Sequence, residues 1–124
     1  FEDHCETLGL RFSIEMPEQL PAIRLTAVEH SHPPRILREA VSNAARHSKP
    51  SHCWLAIELQ DDGLLLSCRH DGLTHPVAGW RAARGIRNMQ MRAQDLKGSL
   101  TWSEPASGQV SMQLRFPLTH GASA

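Results

Sequence analysis

Glu39 and Asn43 stand four residues apart, with His47 four beyond, in a stretch whose apolar residues Ile36, Leu37, Ala40, Val41 and Ala44 recur at helical spacing. At about 100° per residue, Glu39, Asn43, Arg46 and His47 fall on one side of such a helix, along the border of its apolar stripe. A border residue faces the edge of a cleft. That set of groups suits nucleotide chemistry. A hard divalent ion on ATP takes an amide oxygen such as that of Asn43, Glu39 can order or deprotonate a neighbouring group, and Arg46 supplies positive charge. The same spacing also suits a solvated helix face with one i,i+4 hydrogen bond, and spacing alone does not separate the two.

The elements that must hold this line in place follow from periodicity. Leu10, Phe12, Ile14 and Met16 alternate with polar residues and predict a first strand with one buried face, ended by Pro17. A short helix is expected around Ile23 to Glu29, broken at Pro33 and Pro34. Pro34 suits the first turn of the main helix, which runs to about Ser48. Cys53, Leu55, Ile57 and Leu59, the turn Asp61-Asp62-Gly63, and Leu64, Leu66 and Cys68 read as a hairpin. From His70 to Arg84 the pattern dissolves into a loop holding Gly72, Pro76 and Gly79. Ile86, Met89, Ala93 and Leu96 mark a second helix, with Gly98 placed as its left-handed cap. Leu100 and Trp102 give one more strand. After Pro105, Ser107 and Gly108, the alternation of Val110, Met112, Leu114 and Phe116 gives the last.

That order predicts an α/β two-layer sandwich, a mixed, mostly antiparallel sheet with helices on one face. Residues 1–118 form the expected domain, and 119–124 a disordered tail.

The totals narrow the field. The 124 residues fit one domain, and Lys plus Arg balance Asp plus Glu at 13 each. No basic stripe is present for nucleic acid, and the longest apolar run, Cys53 to Ile57, is far below a membrane span, so neither a nucleic-acid partner nor a membrane contact is expected. The start at Phe1 reads as a piece cut from a longer protein. Cys5, Cys53 and Cys68 are odd in number and widely spaced, which fits reduced thiols in the cytoplasm.

Other residues carry weaker signals. Trp54 and Trp102 lie in strand patterns and are expected in the core, while Trp80 lies in the loop. His30 and His32, or His4, Cys5 and His52, are formal zinc candidates, but no CxxC or HExxH spacing supports them. Met89 lies on the apolar face of the second helix and Met91 off it.

The stretch REAVSNAARHSKPSH, Arg38 to His52, resembles the N box of sensor histidine kinases of the kind that pair with NarL-type response regulators. RGIRNMQMRAQDLKGSL, Arg84 to Leu100, resembles the family's G2 region and the helix after it. HDG at His70 to Gly72 resembles its G1 box, and SGQVSMQLRFPL matches its closing strand. The likeness covers nearly the whole chain, in order. It implies the GHKL, or Bergerat, ATP-binding fold, with ATP and magnesium between the N-box helix and the G1 and G2 loops. Asn43 then corresponds to the magnesium-binding asparagine and Glu39 to the acid that assists γ-phosphate transfer. Arg46 and His47 correspond to the end of the N box, and Gly85, followed by Ile86, to the phosphate-facing G2 loop.

The implied partners are a separate, upstream dimerisation domain bearing the acceptor histidine and a response regulator. The implied place is the cytoplasmic end of a membrane-anchored sensor. His70-Asp71 sits at a strand end and not on a helix, so it is not read as the phosphorylation site. A GHKL serine kinase acting on an anti-sigma partner would share the same boxes.

The sequence departs from the family at three points. His70 stands where the G1 box usually has the Asp that reads adenine. Asp71, shifted by one residue, is the preferred adenine contact and His70 the alternative, since a neutral imidazole nitrogen can accept the same hydrogen bond. Thr74 and Ala83 replace loop glycines, and the lid between Gly72 and Gly85 is short. These losses make a degenerate regulatory module the competing expectation.

Overall fold

The computed structural model describes residues 2–7, 9–16, 24–47, 50–61, 63–72, 84–106 and 108–119. In chain order its elements are α1 (Glu2–Thr7), β1 (Arg11–Glu15), α2 (Ala27–His47), β2 (His52–Gln60), β3 (Gly63–His70), α3 (Arg84–Asp95), β4 (Ser99–Ser103) and β5 (Val110–Pro117). The five strands form one sheet in the order β1-β2-β3-β5-β4. Only β1 and β2 run parallel; the other three pairings are antiparallel. The helices lie on one face, so the expected two-layer sandwich is what forms.

The register sorts the strands' side chains into tiers. Cys53, His70 and Val110 share one inward tier, Leu55, Cys68, Met112 and Trp102 the next, and Ile57, Leu66, Leu114 and Leu100 the third. Ile36, Leu37 and Val41 of α2 and Met89, Ala93 and Leu96 of α3 close over them. This is the apolar periodicity of sheet and helices meeting in one core. The three cysteines are free thiols buried within it, with 3.5 Å between the Cys53 and Cys68 sulfurs. Its hydrogen bond with the Cys68 thiol, and burial after it, push the Cys53 thiol far up its scale, so it stays protonated.

Several expectations are corrected. No helix breaks at the paired prolines: α2 is continuous through Pro33 and Pro34. It starts earlier because Thr26 and Glu29 form a capping box. The Thr26 hydroxyl accepts from the Glu29 amide (3.2 Å), and the Glu29 carboxylate accepts from the Thr26 amide (3.0 Å). The first intrahelical bond, His30 N–H to Thr26 C=O at 2.9 Å, follows directly. Nucleation here and packing against α3 outweigh the two amide donors that the prolines lack.

Helix α1 was not foreseen, being six residues long and too short for a period to show. In β1, Leu10 and Phe12 pack inward, but Ile14 and Met16 are about half exposed. The strand is at the sheet edge. The left-handed residue after α3 is Lys97 (φ 58°), not Gly98. Lys97 N–H bonds the Gln94 carbonyl (2.8 Å) and Gly98 N–H the Ala93 carbonyl (2.9 Å), a Schellman ending. Gly98 is required for another reason: a Cβ there would meet the Arg115 carbonyl and lie 2.8 Å from the Phe116 Cβ. Trp102 packs on the core as expected, but Trp54 does not. It alternates with Cys53 and Leu55 and therefore faces the side of the sheet that carries no helix. Thr119, expected to fray, is held by hydrogen bonds to Glu29, while residues 120–124 lie outside the described residues.

Candidate functional site

The inward ends of α2 and α3 and the middle of the sheet enclose a small cavity. Ala40 and Asn43 of α2, Ile86 and Met89 of α3, Cys68 and His70 of β3 and Trp102 of β4 line it. Glu39 is half-buried one turn before Asn43 on the same helix, about 6 Å away along the axis. Of that sequence line Asn43 lines the cavity, together with Ile86 of α3, while Glu39 is not among the lining residues. The side chains of Arg46 and His47 and the surroundings of Gly85 lie outside the described residues, as does all of 73–83 with Thr74, Trp80 and Ala83.

The structure gives the two adenine candidates different surroundings. Asp71 is committed elsewhere: its carboxylate accepts the Ser51 amide and hydroxyl, each at 2.7 Å, and the His52 amide at 3.1 Å. It ties the start of β2 to the end of β3. Partial burial would raise its pKa, but these hydrogen bonds outweigh that and hold the carboxyl below its usual range. His70 is the group that lines the cavity, and only 6% of it is exposed. The reason was legible in the sequence. Leu64, Leu66 and Cys68 set an even-numbered inward phase, and that phase continues to His70.

The His70 ring has a defined tautomer. Nδ1 lies 3.0 Å from the Asp71 carbonyl oxygen, which only accepts, so Nδ1 carries the proton. Burial, partly opposed by the Asp71 carbonyl and carboxylate, lowers the ring's pKa and keeps it neutral. Nε2 is then an acceptor. Gly72 follows with φ 80°, a left-handed turn that suits a residue without Cβ and takes the chain out of the strand.

The cavity is narrow. Its volume is about 20 Å³, room for a single water, against the several hundred that ligand pockets ordinarily offer. Among the described residues no group of three His, Cys, Asp or Glu side chains could hold a metal, and the His4 side chain lies outside them. His32 instead bonds Asp95 of α3 (Nε2 to Oδ2, 3.1 Å), and His52 bonds the Ser13 hydroxyl (2.8 Å). No helix among the described residues is long and apolar enough to cross a membrane.

The fold is that of the catalytic domain of histidine kinases. The catalytic domain of the histidine kinase ThkA superposes with a TM-score of 0.72, over 95% of this chain and 86% of that one, at 13% identity. Full-length ShkA, solved in complex with AMPPNP, superposes with a TM-score of 0.77 over 99% of this chain and 28% of that one, at 12% identity.

In sequence the chain is similar to sensor kinases. It is similar to the nitrate/nitrite sensor protein NarX of Escherichia coli, 28% identical over 118 residues, which is 93% of this chain and 20% of NarX. It spans about a fifth of the length of the curated relatives it matches. No family model matches it.

Proposed function

We propose that the chain binds ATP with magnesium in the cavity between α2, α3 and the sheet, and serves transfer of the γ-phosphate to a histidine on a separate dimerisation domain. A response regulator would receive the phosphate next. The observation that supports this most is the meeting of Asn43, one turn beyond Glu39, with His70 at a single cavity, in a fold shared with a protein solved with an ATP analogue.

The donor set fits the metal. Asn43 offers one neutral hard oxygen, and a magnesium ion takes few protein ligands beside phosphate oxygens and water. When bound, the ion supplies charge neutralisation on the phosphates. Glu39 stands one turn away, where it orders the acceptor imidazole and takes its proton as the γ-phosphorus bond to the ADP oxygen breaks and the bond to nitrogen forms. His70 Nε2 accepts from the adenine amino group. Gly72 and Gly85 let backbone approach the nucleotide, and Ile86 packs against it. The resemblance also assigns Arg46 and His47 to the phosphates.

The narrowness of the cavity favours a second reading, a module that keeps the fold and no longer binds nucleotide. Calorimetry with magnesium and AMPPNP decides between them. Saturable binding that Asn43→Ala abolishes supports the kinase reading. No heat and no rise in melting temperature at millimolar nucleotide sinks it, since a micromolar binder would gain about 4 kcal/mol there.

A further inference from the structure

The face of the sheet that carries no helix holds a second cavity, of about 340 Å³, whose lining includes Glu15, Trp54, Ser67, Arg69, Pro105 and Ser111. It lies on the opposite side of the sheet from Asn43 and His70, because Trp54, Ser67, Arg69 and Ser111 point away from the inward tiers. Its volume falls within the range of small-molecule pockets.

Ser111 is only 7% exposed, yet its hydroxyl makes no hydrogen bond among the described residues. A buried hydroxyl without a partner is uncommon, because desolvation goes uncompensated. The Arg69 guanidinium lies 4.5 Å over the Trp54 ring. That contact holds the guanidinium against the ring, and neither Arg69 nor Glu15 has an ion pair among the described residues. His52 stacks on the same indole at 4.1 Å and 16°, so the ring is rigidly held.

We propose that this cavity is a binding site for a small zwitterion of the free amino acid class. A planar guanidinium stacked on an aromatic ring is preorganised for bidentate recognition of a carboxylate. Glu15 at the same cavity offers the opposite charge to an ammonium group, and the Ser111 hydroxyl is available for a remaining polar atom. A cation and an anion that no ion pair engages among the described residues select a ligand that carries both charges over a simple anion, which Glu15 would repel.

The test is a titration followed by protein amide and indole resonances on the whole 124-residue chain. Three probes are used: L-alanine, N-acetyl-L-alanine, which lacks the ammonium, and L-alaninamide, which lacks the carboxylate. The expected result is saturable shifts for L-alanine centred on Ser67, Arg69, Ser111 and the Trp54 indole, with both modified probes at least about tenfold weaker. Arg69→Gln is expected to remove the L-alanine response, while its spectrum reports that the fold survives and AMPPNP binding is unchanged. Linear or absent shifts with L-alanine to tens of millimolar overturn the proposal. So do equal responses to all three probes, or an undiminished response in Arg69→Gln. The nucleotide site is read separately by AMPPNP, so failure at one site is distinguishable from failure at the other.

Discussion

Glu29 and Thr119 are ninety residues apart in sequence and joined through one oxygen: Glu29 Oε2 accepts both the Thr119 amide at 2.7 Å and its hydroxyl at 2.9 Å. With the other oxygen on the Thr26 amide, a single buried carboxylate caps α2 and pins the chain just past β5. Burial alone would raise its pKa, but the hydrogen bonds from Thr26 and Thr119 outweigh it and hold the carboxyl below its ordinary value.

Glu29→Ala is therefore expected to destabilise the fold by roughly 2–3 kcal/mol, the loss of a cap plus charge-assisted hydrogen bonds. The lowered carboxyl binds fewer protons folded than unfolded, so its stabilisation is present above the ordinary carboxylate value of about 4 and is lost as pH falls through the lower folded one. Urea denaturation across pH, wild type against Glu29→Gln, should show a gap at neutral pH that closes in acid. A gap of constant size across the whole acid range would contradict the linkage.

His70 also costs stability on acidification, but through burial of a neutral ring and not through loss of a hydrogen-bonded charge. Its pKa is lowered by burial, so between the ordinary imidazole value of about 6.5 and the lower folded value the unfolded chain binds a proton that the folded chain refuses. Stability should fall as pH drops through that window, and His70→Gln should flatten the fall. If Nε2 reads adenine, AMPPNP affinity drops with protonation in the wild type, and His70→Asp, whose carboxylate accepts throughout, stays flat over the same range.

Glu39→Gln separates binding from transfer. It should leave magnesium-AMPPNP affinity within about threefold while slowing phosphorylation of a separately supplied acceptor domain by 10²-fold or more, the order expected of a lost general base. Unchanged transfer would remove Glu39 from the chemistry.

The end of α3 offers a stability test in both directions. Lys97 holds φ 58°, so Lys97→Gly should stabilise by about 1 kcal/mol. Gly98→Ala should destabilise by about 2 kcal/mol or more, because its Cβ has nowhere to go between Arg115 and Phe116. Chemical denaturation of the two variants should move the midpoint to opposite sides of the wild type.

The two glycine-region residues illustrate what a sequence can and cannot say. That α3 ends near residues 97–98 was readable from Leu96 and Gly98. Which residue takes the left-handed turn was not, because Gly98 is demanded by the approach of β5, a strand with no sequence proximity to it. The start of α2 is also written locally, in the capping-box spacing of Thr26 and Glu29, although Pro33 and Pro34 by themselves predict a break. The inward phase of His70 was likewise present in the alternation from Leu64.

Local spacing by itself determined the strands, the two long helices and the placement of Glu39 and Asn43 on one helix border, since periodicity is a property of neighbouring residues and survives without the rest of the molecule. Only the tertiary structure decided that Asp71 is spent on Ser51 and His52, that His70 closes the cavity, that Trp54 faces outward, and that Glu29 reaches Thr119. Each of those depends on a contact between segments far apart in sequence, and hydrogen-bond partners and cavity volume are set by the distances between them, which no spacing along the chain encodes.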